Sequence, residues 1–415
     1  MRETGRMGTL EGQDVELDVT SIAHGGISVA RLDGRVVFVT DAIPGEKVVA
    51  RITDDRKKSF WRADTVSVLE ASRYRQEHVW VAASIDRDPA VRAGGAEFGH
   101  IALAHQRTLK EQVLRDALER MAHITPEVTV EALPGDDEVS GTGWRTRIRL
   151  HVDDSGRPGP FAARSHTVVA VDDLPLATAA VEEVAPLDQR FPGEETIDVL
   201  SPSEGGARLI IGKQARTVVT EKVGDREFRL DDAGFWQVHH GAAATLTAAV
   251  QDLIDPERFD PRAANLDLYG GVGLLAAAVG DRFGQATRIT SVESDSRATD
   301  HAAENLQEWI GASAVTGRVE RWIRELTSSA TATERARLAG ATIVLDPPRS
   351  GAGKEVVEAI AGLDPAQVVY VACDPVALAR DVALFADLGY GLEALRAFDL
   401  FPNTHHLETV VRLSR

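Results

Sequence analysis

Cys373 is the only cysteine among the 415 residues and the most nucleophilic side chain that the chain offers. It lies in the run 370–375, Tyr-Val-Ala-Cys-Asp-Pro, where an apolar stretch ends and a turn begins. Such a thiol is either the nucleophile of an enzyme, reacting as its thiolate, or a small inert side chain of the core. The groups that could share its site decide between these two interpretations.

A glycine-rich turn follows another apolar strand. The segment 267–273 reads Asp-Leu-Tyr-Gly-Gly-Val-Gly, and Glu293 ends the next strand, about 20 residues further on, where an acid can bind ribose hydroxyls. Glycines there let a ligand approach the backbone, although they also serve tight strand–helix packing. Ala276 breaks the G-x-G-x-x-G pattern, so NAD fits less well than a nucleoside cofactor without a pyrophosphate, such as S-adenosylmethionine.

Two acidic residues stand at strand ends. Asp346 follows an apolar strand and opens the segment 346–351, Asp-Pro-Pro-Arg-Ser-Gly, while Glu408 begins the last strand. In an open α/β sheet the strand ends carry the ligand crevice, and an acid near a nucleophile could act as a general base. The alternatives are a plain strand-to-loop turn and a solvated strand end. Arg349 stands where amino-methyltransferases often place an aromatic residue, which indicates a different target atom.

A histidine pair precedes Glu408. His405 and His406 have side chains that can ligate a metal, but no cysteine or acidic partner lies at ligand spacing from them. We therefore predict no metal site.

Three segments must position these groups. Residues 1–70 read as short strands separated by glycine turns, which predicts a small OB-like barrel. Its strands are expected at 14–19, 36–39 and 47–52. Residues 71–230 form a central α+β domain, whose amphipathic helix near 105–123 could pack on the catalytic domain. In residues 231–415 strands and helices alternate, which predicts a parallel, Rossmann-like α/β sheet with helices on both faces.

A cationic stretch with aromatic neighbours lies in the first segment. Arg56, Lys57 and Lys58 precede Phe60 and Trp61. Cations can meet phosphates and rings can stack on bases, so this stretch is a candidate RNA contact. The alternative is a solvated loop whose two aromatic rings pack inward.

A second basic pattern lies in the central segment. Arg145, Arg147 and Arg149 alternate with apolar residues between 144 and 152, which predicts a strand with one buried and one cationic face. Three arginines along one face need an anionic neighbour. That neighbour is either a phosphate backbone or the carboxylates of a chain with a formal net charge of −18.

The amino-acid composition is typical of a globular protein and not of a membrane-spanning one. The chain is 43% hydrophobic and 27% charged, as in soluble globular proteins, and no window approaches ~18 uncharged apolar residues, so no membrane span is expected. Residues 1–6 lack the apolar core of a signal peptide, and one cysteine cannot form an internal disulfide, which favours a cytoplasmic location. The net charge argues against non-specific nucleic-acid binding but allows a locally basic cleft.

Together these segments resemble the S-adenosylmethionine-dependent uracil-5 methyltransferases of RNA, the family that makes 5-methyluridine in tRNA and rRNA. Three motifs occur in the family's order: Asp-Pro-Pro-Arg-Ser-Gly at 346–351, Cys-Asp-Pro at 373–375 followed by Ala-Arg-Asp, and Phe-Pro-x-Thr-His-x-x-Glu at 401–408. The resemblance covers almost the whole chain, because residues 1–70 look like the RNA-binding TRAM barrel and residues 231–415 look like a class I methyltransferase domain.

The resemblance implies a role for each matching residue. Cys373 would be the nucleophile, attacking carbon 6 of uracil so that carbon 5 can be methylated, and Glu408 would be the base that then removes the carbon-5 proton. The residues implied in cofactor binding are Gln237, Tyr269, Gly271, Gly273, Glu293 and Asp346. The implied partner is tRNA or rRNA, whose target base must be flipped out or lie in a loop, and no obligatory protein partner is expected.

The chain departs from the family at two places. Many members carry an iron–sulfur cluster on four cysteines, but the segment 93–96 reads Ala-Gly-Gly-Ala and the chain has one cysteine, so no such cluster is expected. Gly270 stands where the family often has cysteine in the glycine turn. Two other hypotheses stay open, an RNA methyltransferase with a different target atom and a catalytically silent RNA-binding protein. Intact Cys373, Glu408 and Asp346 count against the second of these.

Overall fold

The computed structural model describes residues 10–415 of the chain. Residues 1–9, on which the predicted absence of a signal peptide depends, lie outside this range. Within it, no helix combines the length and the apolar character that crossing a bilayer requires.

The first five strands form a closed barrel in the order β1-β2-β3-β5-β4. They are β1 (Asp14–Ala23), β2 (Ile27–Leu32), β3 (Arg35–Thr40), β4 (Lys47–Asp54) and β5 (Phe60–Glu70). Alternate side chains point inward, among them Leu17, Val37 and Ala50, and form an apolar core. The strands predicted at 14–19, 36–39 and 47–52 are confirmed as parts of β1, β3 and β4.

Strand β5 corrects the prediction for Trp61. Phe60 and Trp61 begin a strand, and the Trp61 ring is buried in the barrel core with the Arg35 guanidinium 4.3 Å from a ring centroid. A buried ring cannot stack on a base, so Trp61 follows the alternative in which the aromatic side chain packs inward. Arg56, Lys57 and Lys58 remain exposed immediately before the strand.

The middle of the chain folds into small sheets beside one long helix. Its elements are α1 (Leu103–Ala122), β6 (Val130–Glu131), β7 (Arg147–Val152), β8 (Pro158–Gly159), α2 (Ala179–Val184), β9 (Thr196–Leu200), β10 (Arg208–Ile211), β11 (Val218–Val223) and β12 (Arg226–Asp231). One sheet has the order β10-β9-β7-β8, and β11 pairs with β12. The helix predicted near 105–123 is confirmed as α1.

Helices and strands then alternate to the end of the chain. The elements are α3 (Ala242–Leu253), β13 (Asn265–Leu268), α4 (Leu274–Phe283), β14 (Ile289–Glu293), α5 (Ser296–Asn305), β15 (Ala312–Thr316), α6 (Val319–Ser329), α7 (Ala332–Ala339), β16 (Thr342–Leu345), α8 (Gly353–Gly362), β17 (Gln367–Ala372), α9 (Pro375–Asp387), β18 (Gly391–Phe398) and β19 (Glu408–Ser414). This alternation builds the catalytic half around one sheet.

That sheet has eight strands in the order β15-β14-β13-β16-β17-β19-β18-β6. Two large apolar clusters pack helices against its two faces, as expected for a Rossmann-like fold. Helix α1 packs against α9, and β6 extends the sheet beside β18, so the middle segment contributes to the catalytic half. The divisions after residues 70 and 230 stay predictions.

Strand β19 corrects the expectation of a wholly parallel sheet. It pairs antiparallel with both β17 and β18, whereas β13 to β17 pair in parallel. Only the segment 399–407 joins β18 to β19, and a connection without a crossover helix returns the chain antiparallel. The return places Glu408, at the start of β19, beside the carboxyl end of β17.

Arg92 joins the barrel to the segment that follows it. Its side chain is 3% exposed, and its guanidinium donates hydrogen bonds to the Asp41 carboxylate, to the Thr65 carbonyl of β5 and to the carbonyls of Ile85 and Arg87. The adjoining segment 93–96 packs its two alanines into an apolar cluster. Packing and this buried guanidinium thus hold the segment 93–96 in place.

We predict that Arg92→Ala destabilises the protein by about 3–5 kcal/mol, because it leaves the Asp41 carboxylate and three carbonyls without their buried donor. Arg149→Ala is the matched control, since Arg149 pairs with Asp198 but its side chain is 60% exposed. That variant should lose under about 1 kcal/mol. Denaturant unfolding of both variants checks this, and equal losses would contradict a special role for the buried guanidinium.

Candidate active site

The register of β17 and β19 brings Cys373 and Glu408 together. Ala372, the last residue of β17, pairs with Thr409, whose hydroxyl also donates to the Ala372 carbonyl at 2.9 Å. The residues one step beyond this pair are Cys373 and Glu408. Both line a cavity of about 890 Å³ at the carboxyl ends of the central strands. A thiol and a carboxylate therefore face one space.

Helix α1 fixes the segment that leads to Glu408. Gln106 is fully buried, accepts a hydrogen bond from the Asn403 backbone at 2.8 Å and donates one to the Asn403 side chain at 2.9 Å. Asn403 has φ 64°, and its amide donates to the carbonyls of Ser140 and Gly141. These bonds compensate for the unfavourable left-handed backbone and fix the course of the segment into β19.

The same cavity collects five of the six residues implied in cofactor binding. Those residues are Gln237, Tyr269, Gly271, Glu293 and Asp346. Gly271 has φ 54°, and its N–H donates to the Glu293 carboxylate at 3.2 Å, so the acid also shapes the glycine turn. Gly273 does not line the cavity, because it lies at the start of α4 with φ 90° and serves the turn itself.

Gly270 has a packing reason to lack a side chain. A Cβ at this position would overlap the Ser291 hydroxyl and lie 2.6 Å from the Asp267 carboxylate. These two side chains are hydrogen-bonded to each other at 3.1 Å below the turn. Any side chain at this position would need a different arrangement of this pair.

Two buried carboxylates, Asp267 and Glu408, and the partly exposed Asp346 give the site its electrostatic character. Burial raises the pKa of Asp267 to about 7, and burial together with the charge of Asp267 raises the pKa of Asp346 to about 7. Burial and the charge of Asp346 raise the pKa of Glu408 well above its usual value, while Arg349 opposes this shift. Such a site favours a ligand that brings positive charge, because a cation makes the ionised carboxylates less costly.

The same surroundings hold the thiol in its neutral form. Burial, followed by the charges of Glu408 and Asp346, raises the pKa of Cys373 to about 12, although Arg349 acts in the opposite direction. Cys373 is nevertheless partly exposed to the cavity. It therefore differs from a fully buried inert thiol, and its reactivity depends on what balances the nearby carboxylates.

His406, in the histidine pair that precedes Glu408, is held in its neutral form. Burial, together with His405 and Arg349, lowers the pKa of His406 to about 3, and Arg349 contacts the His406 ring at 3.4 Å. His405 lies 3.5 Å from the Glu97 carboxylate, a partner that sequence spacing did not reveal. The two histidines thus pack between Arg349 and Glu97 at the cavity wall.

Another histidine cluster lies away from this cavity, where Asp136, His239 and His240 approach one another. His239 uses both ring nitrogens, since Nδ1 accepts from the Gly241 N–H at 3.0 Å and Nε2 lies 3.2 Å from the Asp136 carboxylate. A ring that is hydrogen-bonded at both nitrogens has no free lone pair for a metal. The prediction that the chain has no metal site remains a prediction.

The three arginines of the basic pattern have different surroundings, and the strand itself begins only at Arg147, so Arg145 lies before it. Arg147 donates from its two Nη atoms to the Glu221 carboxylate at 2.9 Å and to the Gly234 carbonyl at 3.0 Å, and Arg149 pairs with Asp198. These contacts favour internal carboxylates over a phosphate backbone for both side chains, and their contact with RNA stays a prediction. Arg145 lines the large cavity and remains a candidate for substrate contact.

Sequence reasoning missed four residues at the mouth of the cavity. Phe235 is 74% exposed and lines the cavity two residues before Gln237. The other three are Arg216 and Arg297, which both pair with the Asp231 carboxylate, and Arg318. The exposed ring of Phe235 suits a nucleic acid, since bases can stack on it. The position of Phe235 two residues before Gln237 was the available signal for this ring, whereas the scattered arginines gave none.

The chain is similar to known proteins along most of its length. A family model described as tRNA (Uracil-5-)-methyltransferase matches residues 223–415, and a TRAM domain model matches residues 8–60. An "Uncharacterized RNA methyltransferase" of Streptomyces avermitilis is 36% identical over 97% of this chain and 98% of its own, and one of Bifidobacterium longum is 34% identical over 96% of each.

A solved structure shares the fold. The crystal structure of Pyrococcus abyssi tRNA (uracil-54, C5)-methyltransferase in complex with S-adenosyl-L-homocysteine covers 96% of this chain and 99% of its own, with 19% identity and a TM-score of 0.68. The fold is thus a class I methyltransferase domain preceded by a TRAM barrel.

Asp267 gives a testable pH dependence of stability. Its folded pKa of about 7 exceeds the ordinary 3.8, so the folded state holds the proton more tightly and this stabilisation is lost as pH rises through that interval. The free energy of unfolding of Asp267→Asn, relative to that of the wild type, should therefore increase by about 2–3 kcal/mol as the pH rises from about 5 to about 8. Unfolding of the ligand-free protein measures this gain. The exposed Asp225→Asn is the control, and a gain that does not change with pH would contradict the buried, protonated carboxyl.

Proposed function

Because the chain belongs to the RNA uracil-5 methyltransferase family that carries a TRAM domain, we propose that it methylates carbon 5 of a uridine in tRNA or rRNA with S-adenosylmethionine as the donor. The observation that carries this proposal is the placement of the Cys373 thiol and the Glu408 carboxylate on one cavity by the pairing of β17 with β19. The cavity of about 890 Å³ suits a cofactor together with a base.

The residues of the cavity fit this cofactor. S-adenosylmethionine supplies an electrophilic methyl group on a cationic sulfonium. Asp346, at the end of β16, would face its positive charge, and Glu293, at the end of β14, would accept hydrogen bonds from the ribose hydroxyls, since both carboxylates line the cavity. Gln237 and Tyr269 complete the wall beside the glycine turn. The raised pKa of Asp346 supports the fit, because a cation compensates the charge that burial disfavours.

Cys373 then activates the uracil ring. Its thiolate forms a bond to carbon 6, and the electron pair of the ring double bond moves to carbon 5 and the adjoining carbonyl as an enolate. Carbon 5 takes the methyl group as the bond from that group to the donor sulfur breaks. Arg349 is the cation that faces the thiol, so it favours the thiolate.

Glu408 completes the reaction as the general base. Its carboxylate removes the proton from carbon 5, the ring double bond forms again, and the bond between Cys373 Sγ and carbon 6 breaks. A carboxyl group whose pKa is raised by burial holds a proton strongly, so Glu408 is a better base than an exposed glutamate. The position of Glu408 on the same cavity as the thiol supports this role.

The RNA enters with its target base out of the stack. The exposed Phe235 ring stands at the cavity mouth for stacking, and Arg145 lies deeper in the wall. On the barrel, Arg56, Lys57 and Lys58 are exposed for backbone contact. We further propose that no iron–sulfur cluster assists this binding, because one cysteine cannot supply four thiolate ligands.

The covalent adduct gives a direct test. RNA containing 5-fluorouridine should become covalently joined to the wild-type protein in the presence of S-adenosylmethionine, since fluorine at carbon 5 cannot leave as a proton. Cys373→Ala should form no adduct. Glu408→Gln should accumulate the methylated adduct on ordinary uridine RNA, because the proton at carbon 5 then stays in place.

Denaturing gels and intact mass spectrometry measure these adducts. Asp225→Asn, a change in an exposed turn remote from the chemistry, is the control and should trap as wild type. Trapping by Cys373→Ala at the wild-type level would overturn the mechanism.

A further inference from the structure

The first turn of the barrel reaches the neighbourhood of the nucleophile. His24, in the turn between β1 and β2, lies with its Nε2 2.8 Å from the Asp374 carboxylate. Asp374 directly follows Cys373 in the chain. His24, Gly25, Gly26 and Cys373 all line a second cavity of about 170 Å³, so the thiol stands between this small cavity and the large one. A domain expected to bind RNA thus contributes a side chain next to the reacting group.

This contact belongs to a built interface. Gly26 has φ 69°, and a Cβ there would lie 2.5 Å from the Cβ of His405, so the turn packs against the segment that leads to Glu408. Beside it, buried apolar side chains of the barrel meet those of the middle segment. They are Ile22, Ile43, Phe98, Ile101 and Leu109. The barrel is therefore docked through packing as well as through His24.

Asp374 is held from two sides. It is the N-cap of α9, and its Oδ1 accepts hydrogen bonds from the N–H groups of Val376 and Ala377 at 3.0 and 2.8 Å. Its other oxygen meets His24. The negative charge is thereby fixed one residue from the thiol, where it disfavours the thiolate.

The charges around the thiol are unevenly matched. Glu408, Asp346 and Asp374 all raise the pKa of Cys373, and Arg349 lowers it. The hydrogen bond to Asp374 raises the pKa of His24 despite partial burial, so His24 is more often cationic when the barrel is docked. Besides Arg349, the other basic groups of the small cavity are Lys110, His405 and His406. Lys110 pairs with Asp399, His405 lies 3.5 Å from Glu97, and burial lowers the pKa of His406.

We propose that His24 is a positioning residue for the nucleophile, which holds the Asp374 carboxylate at the start of α9 and balances its charge one residue from Cys373. The proposal rests on the assignment of Cys373 as the nucleophile. Its functional consequence is that the barrel, when docked, supports formation of the thiolate. An RNA that pulled the barrel away from the catalytic half would leave Asp374 unbalanced and the thiol less reactive, so the geometry couples the grip of the barrel to the chemical step.

The single cysteine makes a direct experiment available. Iodoacetamide can alkylate only Cys373 among the thiols of this chain, and the rate of that reaction reports the thiolate fraction without RNA or cofactor. His24→Ala should slow alkylation about three- to tenfold near pH 7, because one unbalanced charge nearby shifts a pKa by up to about one unit. The difference from wild type should shrink as the pH rises and His24 loses its proton, since the pKa of His24 is raised by its contact with Asp374 but remains that of a titrating histidine. His24→Gln, which keeps a hydrogen-bond donor without the charge, should be slowed similarly.

Two further variants complete the design. Asp374→Asn should alkylate at least as fast as wild type, and adding His24→Ala to it should change nothing further, because the charge to be balanced is gone. Lys47→Ala, which removes an exposed barrel ion pair with Glu16, is the control and should alkylate as wild type. A misfolded variant would expose the thiol and alkylate faster, which is opposite to the predicted direction.

Wild-type alkylation rates in both His24 variants would overturn the proposal, and so would a rate restored by His24→Gln, since that result would indicate only a structural hydrogen bond. If the His24 variants are alkylated more slowly but fluorouridine RNA forms no covalent adduct with the wild type, the methyl-transfer mechanism is rejected and the role of His24 is not. The two hypotheses are thus separately testable.

Discussion

The antiparallel pairing of β17 with β19 is the constraint on which the site depends. It sets Cys373 and Glu408 beside each other at one sheet edge, although 35 positions separate Cys373 from Glu408 in the numbering. A slip of one residue in this register would turn the side chains of β19 to the opposite face. The buried contact between Gln106 and Asn403 protects the register, because it fixes the path of the chain immediately before the strand. Helix α1 of the middle segment therefore helps to position Glu408, because it holds the chain just before β19.

The electrostatics of the site follow from burial. Asp267, Asp346, Glu408 and Cys373 all have pKa values raised first by burial, which favours the neutral form of each group. A cationic cofactor and a planar base would change this balance, since the first compensates carboxylate charge and the second excludes water from the thiol. In the proposed mechanism, the charged and reactive forms of Cys373 and Glu408 therefore become favourable only when both cofactor and base are bound. Arg349 acts against this effect at Cys373, and the proposed role of His24 is to balance the neighbouring Asp374 carboxylate.

Many of the site residues could be predicted from the sequence, whereas the partners of several side chains could not, for physical reasons. Strand ends and glycine turns are local features, so Asp346, Cys373, Glu408 and the glycine turn could be placed without a structure. Trp61 could not, because an aromatic after three cations fits a solvated stretch and a strand start equally well. The partners of Arg147 and Arg149 lie on strands far away in the chain, which no local pattern reveals. The same holds for His24, whose partner Asp374 belongs to the other end of the protein.

Nucleoside mass spectrometry of separated tRNA and rRNA from a strain lacking this gene tests the central claim most directly. The account predicts that 5-methyluridine is lost from one class of RNA, returns when the wild-type gene is supplied, and does not return with Cys373→Ala. Unchanged 5-methyluridine together with the loss of another methylated nucleoside would contradict the account and indicate a different target atom. No change in any methylated nucleoside would contradict it as well, and would favour a protein that binds RNA without modifying it.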